Sequence, residues 1–196
     1  TKEVGIKPTP SIGGVGLIKN YDQMITMDFK EISNLVLIIG KTEGHLDQSL
    51  FARTILNEKN GPPPEINLFN EKNNGETLLQ LINNNYVKSA HDVSLGGIIT
   101  AVSKMCIKGN KGIEFNKPKY SLSVIEYLLS EDQGRYIIEI NPSDLKEVVK
   151  ILEKNSVHFE ELGKIIDKHM IINEKTKVTI DELKAYNTNW LKEYMN

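Results

Sequence analysis

The segment His91-Asp92-Val93-Ser94-Leu95-Gly96-Gly97 holds the residue types best placed to do chemistry in this chain. A short strand ends there, two glycines permit close backbone approach, and a helix begins with free N–H groups facing the turn. Such a start attracts an anion, phosphate above all, because its orphan donors and the helix dipole act together. A plainer reading has Asp92 or Ser94 capping the helix while the glycines permit tight strand–helix packing. Spacing alone favours the plainer reading, since Gly-Gly turns between strand and helix are common.

Glu131-Asp132-Gln133-Gly134-Arg135 stands just before a predicted strand. Two adjacent carboxylates and an arginine could bind a metal, or hold Arg135 in a fixed orientation for a phosphate. Charge clustering of this kind more often marks a solvated turn whose ion pairs each contribute less than about 1 kcal/mol. Gly40-Lys41-Thr42 follows a strand, but a P-loop requires a glycine five positions earlier, where Leu35 stands. Lys41 to Gly44 therefore reads as an ordinary strand-to-helix loop. His45, His91, His158 and His169 lack metal-ligand spacing, and a single cysteine cannot build a structural zinc site. There is no G-x-S-x-G, and Cys106 falls on the apolar stripe of a helix. No catalytic residue and no metal ligand is assigned on this chain.

The elements that must position these residues are legible in outline. Leu35 to Ile39 is an apolar run ending at Gly40, a strand buried on both faces. Val15 to Ile18 has strand character, and Asn60-Gly61-Pro62-Pro63-Pro64 must be a loop. A helix begins at Thr77 and stops in Asn83-Asn84-Asn85; Ser89 to Val93 is a strand. From Gly97, apolar Ile98, Ala101, Val102, Met105 and Cys106 follow the helical period. Arg135 to Ile140, Ser143 to Lys154 and Val157 to Ile166 give a strand, an amphipathic helix and a strand, half of a ferredoxin-like unit. Thr179-x-x-Glu182 signs a capping box for a last helix striped by Leu183, Tyr186, Trp190 and Leu191. Trp190 is expected in the core, pinning that helix to the sheet. The sum is an α+β or α/β layered domain with a mixed sheet.

With 196 residues, 39% apolar and 26% charged, the chain suits one soluble domain with appendages. A net charge of −2 supplies no basic field for nucleic acid or an anionic membrane surface. One cysteine fits a reducing, cytoplasmic compartment. No apolar run approaches the ~20 residues of a bilayer span, and Thr1-Lys2-Glu3-Val4 carries no signal-peptide h-region. The polar start without Met is expected of a piece of a longer polypeptide.

Six segments, in order, resemble one family. They are Pro8 to Leu17, Gly44-His-Leu-Asp-Gln-Ser49, Asn60 to Pro64, His91 to Gly97, Glu131 to Tyr136, and Val178 to Leu183. The chain is similar, nearly end to end, to the C-terminal portion of the phosphoribosylformylglycinamidine synthases, glutamine-dependent ligases of purine biosynthesis. The resemblance implies a three-layer α-β-α, partly ferredoxin-like, synthetase-like C-domain over residues 29–175. Residues 1–28 would close the preceding N-domain and its connector, and 176–196 would form a C-terminal helix packed on the C-domain.

The implied reaction joins ammonia from a glutaminase partner to the amide of formylglycinamide ribonucleotide, with ATP and Mg2+ serving the whole enzyme. The implied partners are upstream synthetase domains of the same chain, the glutaminase and small accessory subunits. The family's catalytic histidine and magnesium ligands fall upstream of Thr1, so the chain alone is expected to be inactive. The resemblance also turns the two segments towards the cleft between N- and C-domains. Asp92, Ser94, Gly96, Gly97 and Arg135 are the nucleotide- or phosphate-binding candidates. Two departures stand out: Leu95 replaces an acidic residue usual in the family, which puts an ionic role for the turn in doubt, and Asp47 replaces a glycine. Aminoimidazole ribonucleotide synthetase, selenophosphate synthetase and thiamine monophosphate kinase are alternatives within the superfamily. A non-catalytic binding or assembly module is the alternative outside it.

Overall fold

The computed structural model describes residues 10–18, 20–118 and 121–195; most of the Thr1 to Ser11 connector lies outside them. The sheet is built around β1 (Leu35–Ile39), whose apolar run leaves Val36 to Ile39 fully buried. The other strands are β2 (Val87–Asp92), β3 (Gly112–Phe115), β4 (Tyr136–Ile140), β5 (Phe159–Ile166), β6 (His169–Ile172) and β7 (Thr176–Thr179). Their order is β2-β4-β1-β5-β3-β6-β7, antiparallel throughout except for the β3–β6 pair. Helices are α1 (Leu68–Asn83), α2 (Gly97–Gly109), α3 (Val124–Leu129), α4 (Leu145–Lys154) and α5 (Ile180–Met195).

Because strand side chains alternate, the sheet presents two apolar faces and each collects its own helices. Leu37, Ile39, Ile138 and Ile140 bury Leu78 and Leu81 of α1 and Val148 and Leu152 of α4. Val36, Ile38, Ile137 and Ile165 bury the Ile98, Ala101, Val102, Met105 and Cys106 face of α2, with Tyr127, Leu128 and Ile180. The result is a three-layer α-β-α sandwich. The β4–α4–β5 unit brackets β1 on either side, so the ferredoxin-like half appears as a split β-α-β.

Three local expectations need correction. Val15 to Ile18 forms no strand: no described strand pairs with it, and Val15 and Leu17 stand fully exposed. α1 starts nine residues before Thr77, where the Asn67 side chain accepts from Asn70 N–H as N-cap. Trp190 is 59% exposed, tilted against Tyr194 one turn on; Ile180 and Leu183 join α5 to the core instead. The capping box itself forms, with Thr179 and Glu182 exchanging backbone hydrogen bonds. Thr176 to Thr179 pairs with β6 as an edge strand of the same sheet, and Thr26 bridges Ser89 at the opposite edge.

Candidate functional site

β2 ends at Asp92 and β4 begins at Tyr136, and these two residues pair in register. That register carries the two chemistry-bearing turns to one end of the sheet. They share a recess of about 280 Å³ lined by Asp92, Ser94, Leu95, Glu131, Gln133 and Tyr136, with Glu71 of α1 closing one side. Gly96 and Gly97 both adopt left-handed backbone (φ 85° and 70°), which a side chain would strain. A Cβ on Gly97 would stand 2.6 Å from the Ser130 carbonyl oxygen, so α2 can approach the second turn only through glycine.

The start of α2 is already supplied with an anion. Neither Asp92 nor Ser94 caps it, and Gly96, the N-cap, has no side chain to do so. The Glu131 carboxylate accepts from Gly96 N–H at 2.8 Å and, through the same oxygen, from Leu50 N–H at 2.7 Å. One residue on, Asp132 accepts from the backbone N–H groups of Glu43, Gly44 and His45 at 3.0, 3.2 and 3.2 Å. The Glu131-Asp132 pair thus holds two loops in place rather than waiting for a metal ion. Among the described residues no three metal-ligating side chains gather.

Arg135 also departs from expectation. Its guanidinium is fully buried and turns inward, donating to Thr42 Oγ1 (3.0 Å), the Ser130 carbonyl (2.8 Å) and the Asp132 carbonyl (3.0 Å). Burial pulls its pKa down while Asp132, at 3.7 Å, opposes the shift; the group stays cationic. It lines the recess, but its guanidinium is engaged in bracing the turn that carries Glu131 and Asp132.

What remains open to the recess is acidic. Glu71, Asp92 and Glu131 line it, and Arg135 is neutralised within its own turn. Burial pushes the Tyr136 phenol above its ordinary pKa, helped by Glu71 and Asp92. A bare phosphate here would meet like charge, so these carboxylates suit the hydroxyl or N–H donors of a ligand rather than its phosphate.

Sequence reasoning passed over Glu139 and named His91 without giving it a role. Glu139, fully buried in β4, accepts from Ser89 Oγ, Asn34 Nδ2 and the N–H groups of Lys30 and Glu31. Its signal was a carboxylate inside Ile137-Ile138-Glu139-Ile140. His91, whose ring is 9% exposed, hydrogen-bonds the Asp92 carboxylate at 3.1 Å.

Comparison with known proteins agrees with this architecture. Residues 33–173 match the family model for AIR synthase related protein, C-terminal domain. The chain is 68% identical over 195 residues to phosphoribosylformylglycinamidine synthase subunit PurL of Pelagibacter ubique, covering all of this chain and 27% of that protein. It is 35% identical to the same subunit from Bartonella quintana, covering 26% of it. The chain thus spans about a quarter of the length of the curated relatives it matches. Among solved structures, T. maritima PurL complexed with FGAR superposes with a TM-score of 0.69 at 19% identity, over 83% of this chain and 30% of that one. A thiamine-monophosphate kinase from Stenotrophomonas maltophilia gives 0.53 at 14% identity, over 77% and 53%. Likeness at these identities concerns the fold.

Proposed function

The chain belongs to the AIR synthase related protein family by its C-terminal domain, and from that premise we propose that it serves within an ATP-dependent carbon–nitrogen ligase. The ligase converts formylglycinamide ribonucleotide, ATP and glutamine-derived ammonia to formylglycinamidine ribonucleotide. The observation that carries this reading is 68% identity, along the whole chain, to a phosphoribosylformylglycinamidine synthase subunit.

In this reading residues 29–175 form the synthetase-like C-domain, residues 1–28 lead into it, and 176–196 close it. Asp92 and Ser94 face the ligand side of the recess, while Gly96, Gly97 and Arg135 shape that wall from behind. ATP and Mg2+ serve the whole ligase, and the ion is held outside this chain. The partners are further synthetase domains, a glutaminase and small accessory subunits, in the cytoplasm. Among the described residues no helix is long and apolar enough to cross a membrane. In this reading the catalytic groups belong to the rest of the ligase, and the chain alone is inactive.

A chimera tests this. The matching quarter of the Pelagibacter ubique subunit is replaced by this chain, and ammonia-dependent amidine formation is assayed. Turnover within about tenfold of the parent is expected; a folded chimera without turnover overturns the reading.

A further inference from the structure

We infer that His91 is a positioning residue, fixing the Asp92 carboxylate at the mouth of the recess; this rests on the ligand-facing reading of Asp92. The two side chains differ sharply in environment. The His91 imidazole is 9% exposed and the Asp92 carboxylate 63% exposed, with Nδ1 and Oδ1 3.1 Å apart. A carboxylate only accepts, so Nδ1 carries the hydrogen and donates. Among the described residues no other hydrogen bond holds that carboxylate.

The far side of the ring explains why this is more than a surface contact. Nε2 is buried and has no hydrogen-bond partner among the described residues. His91 pairs in register with Ile137, a residue of the apolar core, and His91 and Asp92 themselves line a second recess with Ile25, Met27, Asp28 and Lys108. A desolvated ring nitrogen with no partner lowers stability, and an apolar side chain of similar size would avoid that loss. Stability therefore does not account for an imidazole at this position. Its one polar contact does: a carboxylate at a strand end, two-thirds open to water, otherwise turns among several rotamers. Anchoring it from a rigid, buried ring preorganises it at the strand end, where Asp92 lines the first recess with Ser94 and Glu131 and borders the second as well.

The test uses the complete ligase carrying this chain, with variants H91L, H91N, D92N and the double variant H91L/D92N. For H91L and D92N the KM for ATP rises about tenfold while kcat stays within about twofold, the pattern of lost binding. H91N keeps an N–H near the Nδ1 position and stays within about threefold of the unmodified enzyme. The double variant is no worse than D92N, because His91 acts through Asp92 alone. Thermal unfolding of H91L occurs at or above the unmodified temperature. An H91L enzyme with unchanged KM beside an impaired D92N overturns the inference, as does an H91N enzyme as poor as H91L. A silent D92N removes the ligand-facing reading itself, and the role of His91 falls with it.

Discussion

The Glu131 carboxylate stands 2.8 Å from the Gly96 nitrogen, where the start of α2 would otherwise offer its N–H to an anion from outside. The chain thus carries its own substitute for a phosphate at this turn. Removing it in E131A orphans two backbone donors, Gly96 and Leu50. The expected loss is about 2 kcal/mol in urea unfolding, since hydrogen bonds to charged groups are worth about 1.5–3 kcal/mol each and water recovers part. Sulfate at millimolar concentration should then stabilise E131A more than the unmodified chain. Equal responses to sulfate would show that Glu131 does not occupy an anion position.

Arg135 makes three directed hydrogen bonds from a fully buried guanidinium beside Asp132. R135A leaves that carboxylate without its cation and three buried acceptors without their donor, a loss of about 3–5 kcal/mol. R135K should recover less than half, because an ammonium cannot reproduce a planar fork aimed at three acceptors. Denaturant unfolding of the pair decides it; a fully stable R135K would mean that charge alone matters here.

The carboxylates of Glu126 and Glu182 titrate below the ordinary glutamate value of 4.5, held down first by the backbone N–H groups of Ser123 and Thr179. A depressed folded pKa contributes stability that is present above the unfolded value and lost as pH falls through the folded one. Local protection in the first turns of α3 and α5 should therefore fall as pH drops below 4.5. Hydrogen exchange, corrected for intrinsic rates, should show lower protection at pH 3 than at pH 6; equal protection would argue against both capping boxes.

Elements whose signal is local were legible from residues alone. The apolar run of β1, the helical period of α2 and the β4–α4–β5 succession each declare themselves within a dozen residues. The first half of α1 did not, because Asn67 to Gly75 offers a polar face, and its buried contact there is Asn74, bonded to the Gly134 carbonyl. α3 had a readable sign in Ser123-x-x-Glu126, as did the β6–β7 hairpin in Asn173, a residue type that tolerates the left-handed backbone it adopts there. The recess was legible as two turns but not as a geometry. Whether Glu131 and Arg135 face solvent or backbone depends on which loops fold over them, and Leu50, Thr42 and Gly96 are far away in sequence. Trp190 misled because an amphipathic stripe shows which face is apolar, not whether anything covers it.

Cys106 offers a direct report on the integrity of the core that carries the Gly96-Gly97 turn. It is the only cysteine in the chain, fully buried on the sheet-facing side of α2. Burial pushes its thiol up to about 12 from an ordinary 9.0. Only the thiolate reacts, and at pH 8 the native fraction is on the order of one in ten thousand, against about one in ten when unfolded. Alkylation by iodoacetamide should therefore be at least about a thousandfold slower in the folded chain than in urea. The sign of the linkage follows. Below pH 9 the thiol is neutral in both states and costs nothing. As pH rises from 9 towards 12 the unfolded chain ionises first and stability is progressively lost. Alkylation should accordingly accelerate with pH more steeply than the thiolate fraction of the native state alone requires, because opening becomes easier as well. Rapid labelling at pH 8 without denaturant would mean that α2 opens from the sheet in the native state. The turn it carries could not then hold Asp92 and Glu131 in the fixed relation on which the recess depends.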